Sequence, residues 1–473
     1  MTTPWPGDAC SLVEAFRRRE LSPLEALDAS IAAIESSPLN AFSHTDFDRA
    51  RETAATADLS LPFGGVPFGV KELEQVEGWP YTEASELFAD RVARHDQLSI
   101  RRLRQTGAVL AGQTTASEFG GMNYTSTELH GTTSNPWNFS RTPGGSSGGT
   151  AAAVAGGLLP IATASDGDGS IRIPAGFAGL FGLKATFGRI PRSPSASVEP
   201  LSTVLGCLSR SVRDTARFFD HCNGADQRDP YSLPAVSGWE AALGSFDLTG
   251  MTVAIVPDLG TARVRQEVAE LVAVTAERLA QAAGLKVVEV TPSIPRLGTE
   301  WLLATQPSFV ADLGEIYPDK LDVLSGEMRL GLDWARTMFT LDGAASIERY
   351  RRGVNTAFAD VFEQADFVIA SANPDVAFAA EGPAPSTIPG ADLVAELGYI
   401  EALMNNGALT APSSVNGSPA MNIPAGLVDG LPVGMQVLAG HNREQLLLDL
   451  AMVAERELPW PLLAPGSPHS AST

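Results

Sequence analysis

At 473 residues, 44% apolar and 19% charged, the chain has enough apolar material for a large soluble core. A formal net charge of −22, with the acids scattered and no basic patch, repels phosphate backbones, so no nucleic-acid partner is expected. Cys10, Cys207 and Cys222 are odd in number and unpatterned, which fits a reducing compartment and excludes a disulfide framework.

The opening "MTTPWPGDACSLVEAFRRRE" has no basic head followed by an apolar run, so no signal peptide and a cytoplasmic location are expected. Ser22-Pro23-Leu24-Glu25 combines an N-cap serine, a proline at the first helical position and a glutamate three residues on. Leu24, Leu27, Ile31 and Ile34 then recur at helical spacing, which predicts a helix. "GAVLAGQTT" (107–115) reads as a strand, and the apolar run 151–164 is too short and too rich in small residues to span a bilayer. "MTVAIV" (251–256) and "KVVEVT" (286–291) read as strands around an amphipathic helix, 265–283, closed by Gly284. "ADFVIAS" (365–371) and "LPVGMQVLAG" (431–440) continue the alternation. The class is therefore α/β, with helices on both faces of a sheet. No repeat or linker forces a boundary, so residues 1–473 are expected to form one domain. Residues 371–391 should be a long loop acting as a wall or lid, and 464–473 a frayed tail.

"TPGGSSGGTAAAVAGG" (142–157) holds six glycines and the adjacent Ser146 and Ser147, running toward a helix start. A phosphate loop would need a lysine that is missing and a preceding strand. A nucleophile elbow fits by pattern on either serine, but "TSNPWNFSRTP" ahead of it is turn-rich. Of the later histidines, His221 sits at a surface helix end and His469 in the tail, leaving His441 as the elbow's base. A third reading is a glycine turn that packs a small-residue helix against a sheet.

Two other segments bear on the choice. In "ATASDGDGSIRIPAGFAGLFGLKATFGRIP" (162–191), a second small, acidic turn precedes Ser170. A calcium loop fails there, because Ile171 and Phe177 stand where glycine and glutamate are needed. "LPFGGVPFGVKEL" (61–73) embeds Lys71, one of only four lysines among 33 basic residues, in apolar surroundings. Such a lysine either snorkels to the surface or is buried with a lowered pKa, and a neutral amine is a base, which arginine cannot be.

Together these segments resemble the amidase signature family, serine hydrolases built on a Ser-cis-Ser-Lys triad. "GGSSGGTAAAVAGG", then Asp166, then "GSIRIPA", with Ser170 following Ser146 by 24 residues, carry the resemblance. "GGVPFGVKE", "TTASEFG…GTTSNPW", "GLKATFGRIP" and "NGSPAMNIPAGLVDGLPVGMQVLAG" extend it over about 65–220 and 360–455, leaving 225–360 as the variable part. The resemblance implies one large mixed β-sheet covered by helices on both faces. It also implies Ser170 as nucleophile, Ser146 as the serine behind a cis peptide and Lys71 as terminal base. The oxyanion hole would use backbone N–H groups of Gly167, Asp168, Gly169 and Ser170. Ser147 would bond the lysine or the turn, and Asp166 and Arg172 would hold the turn.

The activity so implied is cleavage of small-molecule amides, with anilides, esters and carbamates sharing the acyl-enzyme logic. No metal or organic cofactor is implied, and oligomeric state is not readable. Two rivals use the same signature. One is the glutaminase subunit of a tRNA-dependent amidotransferase, disfavoured by the acidic composition and by "MNYTSTELHGTTSNPW". The other is a catalytically silent binding protein. One position departs from the pattern: "DGDGS" stands where the family has "DxGGS", so Asp168 replaces a glycine. Its carboxylate is expected to turn toward solvent or a backbone N–H, or to meet a polar or cationic part of the substrate. Met122, Asn123 and Tyr124 are expected to line the pocket with parts of 301–345 and 371–391. Trp301, Phe309, Trp334 and Phe339 are expected mostly in the core.

Overall fold

The computed structural model describes residues 3–194 and 201–467. Eleven strands build one mixed sheet among these residues. In chain order they are β1 (Phe42–Thr45), β2 (Pro67–Lys71), β3 (Val109–Thr114), β4 (Ile161–Asp166), β5 (Phe181–Lys184) and β6 (Val204–Ser209). The second half supplies β7 (Thr252–Ile255), β8 (Lys286–Val287), β9 (Phe367–Ser371), β10 (Ala420–Val428) and β11 (Leu431–Ala439). The spatial order is β1-β3-β2-β4-β6-β5-β10-β11-β9-β7-β8. Pairs β2/β3, β2/β4, β7/β9 and β7/β8 are parallel, and the remaining pairs antiparallel.

Alternation along the strands feeds two layers of core. Phe68, Val70, Phe367 and Ile369 face the helices Ala9–Arg17, Val212–Cys222, Gln266–Ala282 and Glu444–Glu457. Val368, Ala370 and Leu438 face Thr299–Leu313 and Leu341–Phe362 on the other side. Ala162 and Ala164 there receive the small-residue helix Gly148–Ala155. Lys71 is out of phase with Phe68 and Val70, so it projects to that second side. No helix among the described residues is long and apolar enough to cross a membrane.

The predicted helix at Pro23 carries its full capping box: Ser22 Oγ accepts from Glu25 N at 3.2 Å, and Glu25 Oε2 accepts from Ser22 N at 2.9 Å. Two expectations change. The strand expected over 286–291 stops at Val287; its last hydrogen bond to β7 runs from Val288 N to Val253 O at 2.9 Å, and the chain then leaves the sheet. The expected frayed tail is docked as far as Ser467: Ala464 N donates to Ala155 O at 2.8 Å and its side chain is buried. Residues 468–473, with His469, lie outside the described residues. Residues 371–391 form the expected wall. Thr142 N donates to Phe378 O and Ala380 N to Ser140 O, which fastens this segment to the approach of the glycine-serine loop.

Candidate active site

β2 ends on Lys71, and that side chain is fully buried. Its Nζ lies 2.7 Å from Ser146 Oγ, 2.8 Å from Ser147 Oγ and 2.9 Å from Ser165 Oγ. Among the described residues it forms no ion pair with a carboxylate. Burial pushes its pKa down to about 7, against the opposing fields of Glu74, Asp166, Glu72 and Glu83. Sequence reasoning missed Ser165 and Thr163, whose Oγ1 accepts the Lys71 main-chain N–H at 2.9 Å. Their spacing of two on a strand beside β2 was the available signal.

The Gly145–Ser146 peptide is cis, and Ser147 stands at the N-cap position of the helix Gly148–Ala155, its hydroxyl turned to Lys71 and not to the helix end. Gly145 is needed because a Cβ there would stand 2.4 Å from Met122 O and 2.6 Å from Tyr124 N. The loop carrying Met122, Asn123 and Tyr124 therefore lies directly on the serine loop, as a pocket wall must. Tyr124 Oη donates to Glu327 Oε1 at 2.9 Å, which ties that wall to the helix Gly326–Met338 of the variable segment.

β4 ends on Asp166, and a turn leads through Ser170 into the helix Arg172–Ala178. Asp166 and Arg172 are both fully buried and paired at 3.0 Å. Arg172 also donates to Thr410 O at 2.9 Å and to Ser413 Oγ at 2.7 Å. Burial opposes the Asp166 charge, but the Arg172 guanidinium and Lys184 outweigh it and hold the carboxyl below its usual range. Asp166 Oδ1 accepts the Gly169 N–H at 2.7 Å, and Oδ2 accepts that of Ile171 at 3.2 Å. Asp166 thus bonds the backbone of the turn, and Arg172 bonds Asp166.

Chain, loop and turn thus meet at one place, and the match to known proteins decides what the place is. The family model described as Amidase covers residues 25–448. The chain belongs to the amidase signature family, and is an enzyme acting on C–N bonds. An acylamidase of Rhodococcus erythropolis is 30% identical, over 96% of this chain and 95% of the relative. A glutamyl-tRNA(Gln) amidotransferase component of Akkermansia muciniphila is 32% identical, over 92% of this chain and 96% of that one. The crystal structure of a bacterial aryl acylamidase of the family matches with a TM-score of 0.88 at 26% identity, covering 96% of this chain and 97% of that one.

Within the candidate site, the turn departs from expectation at Gly169, and Asp168 takes an ordinary backbone. The Gly169 N–H is consumed by Asp166, so the free donors of the turn are the N–H groups of Gly167, Asp168 and Ser170, which make no hydrogen bond among the described residues. Asp168 keeps a negative φ. The left-handed residue is Gly169, at φ +137°, where a Cβ would also stand 2.3 Å from Thr410 Oγ1. An aspartate at 168 therefore strains nothing. Its carboxylate meets no backbone N–H among the described residues: Asp168 is half-buried, and its shielded Oδ1 has no hydrogen-bond partner there.

The Ser170 hydroxyl is half-buried and bonds nothing among the described residues, so the Lys71–Ser146 link is closed in this structure and a Ser146–Ser170 link is not. His441, the elbow's base, is exposed and its Nε2 meets Asn416 O at 2.9 Å. Among the described residues no histidine bonds either loop serine. Of the four aromatics expected in the core, Trp301 and Phe309 are buried, Trp334 is half-buried, and Phe339 is exposed.

Proposed function

We propose that the protein hydrolyses small-molecule carboxylic amides through an acyl-enzyme on Ser170. Neutral Lys71 takes a proton from Ser146 Oγ as Ser146 takes one from Ser170 Oγ, and the freed Ser170 oxygen attacks the carbonyl carbon. The negative oxygen that forms is held by the N–H groups of Gly167, Asp168 and Ser170, each worth about 3–4 kcal/mol in comparable sites. Collapse breaks the C–N bond, and the amine leaves with the proton returned through Ser146. A water then repeats the relay and releases the carboxylic acid.

The observation that carries this reading is the Lys71 ammonium nitrogen, out of contact with solvent, met by three hydroxyls and no carboxylate. A structural lysine would be expected to seek a counter-ion; this one, with its pKa lowered to about 7, is partly neutral near pH 7 and pointed at serines. Anilides are the first amides to try, since an acylamidase and an aryl acylamidase are among the relatives, with esters and carbamates next. The amidotransferase reading is supported by a relative of similar identity, but a net charge of −22 speaks against work beside tRNA. Three free, buried cysteines support a place in the cytoplasm.

The test is a fluorophosphonate, with the adduct mapped by peptide mass spectrometry. An adduct on Ser170 that disappears in Lys71→Ala is expected. An adduct on Ser146 or Ser147 would return the elbow, and no adduct at all would make the protein a silent relative.

A further inference from the structure

Three buried polar atoms beside the oxyanion turn have no hydrogen-bond partner among the described residues: Asp168 Oδ1, Trp301 Nε1 and Tyr350 Oη. Trp301 comes from the helix Thr299–Leu313 and Tyr350 from Leu341–Phe362, and their rings lie 6.5 Å apart. Asp168 is fixed from behind, since Thr410 Oγ1 donates to its main-chain oxygen at 2.6 Å. Burial pushes its carboxyl up to about 6, the Trp301 N–H beside it working the other way, so it is an anion at neutral pH. Arg172, whose field reaches it, is spent on Asp166, Thr410 and Ser413. Arg351 lies over the Trp301 ring at 5.7 Å. A half-buried carboxylate with no cation of its own among the described residues, bordered by two aromatic rings, has the composition of an ammonium site.

We propose, on the strength of the hydrolase reading above, that Asp168, Trp301 and Tyr350 form a subsite for a protonated amine carried by the acyl part of the substrate. The preferred substrates are then aminoacyl amides. The acyl side is assigned because the leaving amine must collect its proton at Ser146. The surface at Ser146 belongs to other residues: a Cβ on Gly120 would lie 3.4 Å from Ser146 Oγ, and the Met122–Tyr124 loop abuts Gly145. Asp168 stands with Thr410, Trp301 and Tyr350 instead.

The position of Asp168 makes the subsite more than an anchor. Its own N–H is one of the free donors of the turn, so an unneutralised carboxylate there opposes the negative oxygen of the transition state. A bound ammonium cancels that opposition. Neutral acyl groups should therefore react slowly as well as bind weakly.

The test compares matched p-nitroanilides, 4-aminobutanoyl against butanoyl and β-alanyl against propanoyl, in wild type, Asp168→Asn and Asp168→Gly. The glycine variant restores the residue usual in the family signature and covers the case in which the asparagine variant does not fold. In wild type the amino member of at least one pair should win in kcat/KM by about tenfold or more, the scale of one hydrogen bond to a charged group. In the variants that ratio should fall by about tenfold or more, while kcat on the neutral member rises. Reading the ratio cancels any loss common to both substrates. A wild-type ratio at or below one for both pairs, or a ratio retained in the variants, would overturn the subsite. A normal Ser170 adduct in that event keeps the hydrolase reading, whereas absence of the adduct and of all turnover removes both.

Discussion

Lys71 has to be neutral to act as proposed, and its surroundings set the pH at which it becomes so. Burial brings its pKa to about 7, below the solution value of 10.5. The neutral fraction rises with pH through that value, so kcat/KM should climb about tenfold per unit below it and level off above. A rate that instead fell through pH 7 would mean that the charged form is the active one. Glu74 provides the control. It is buried and accepts from Ser99 Oγ at 3.1 Å, and its charge is the largest influence holding the Lys71 pKa up. Glu74→Gln should move the inflection of the pH–rate curve to lower pH, whereas a purely structural role would change the amplitude and leave the inflection in place. Lys71→Arg keeps volume and charge but cannot supply a neutral amine, and should cost roughly 10²–10⁴ in kcat.

The turn between β4 and the helix Arg172–Ala178 depends on one carboxylate in the same way. Asp166 accepts from Gly169 and Ile171 while pairing with Arg172, so it fixes the backbone of the turn that carries Ser170. Asp166→Asn leaves a buried guanidinium without its anion, which should destabilise the fold by about 3–5 kcal/mol and slow labelling of Ser170. Thermal melting and the labelling rate check the two effects separately; a stable variant with normal labelling would remove Asp166 from this role. Elements of this kind differ in how much of them could be read in advance. The capping box at Ser22, strand β11 and the meeting of Lys71 with Ser146 were legible, because short-range pattern and family spacing carry them. The length of β8 was not, since its pairing stops after Val288 although β7 runs on to Ile255. The grip of Thr410 on the turn was not either, because the partner lies 242 residues away and a lone threonine carries no signal. Asp168 was legible as an anomaly but not as an orphan. Only the packing of Trp301 and Tyr350 beside it shows that no cation among the described residues pairs with its charge.

At the scale of the molecule, the helices of the variable segment carry the proposed ammonium site, yet they are no separate unit. Val354 and Phe358, on the helix that presents Tyr350, pack in one buried cluster with Val368 and Ala370 of β9, Ala420 of β10 and Leu438 of β11. The alternate residues of those strands, Phe367, Ile369 and Val437, belong to the opposite core layer. A central strand cannot release one face and keep the other, so both layers should melt together. Phe358→Ala removes a fully buried ring and should cost about 3–5 kcal/mol. Spread over the unfolding entropy of a 473-residue chain, that is a drop of about 3–5 °C in Tm. The expected result in calorimetry is one transition, shifted whole. A new low-temperature transition would instead mark the segment 299–362 as a subdomain, and would place Trp301 and Tyr350 on a part of the protein that opens independently of Ser170.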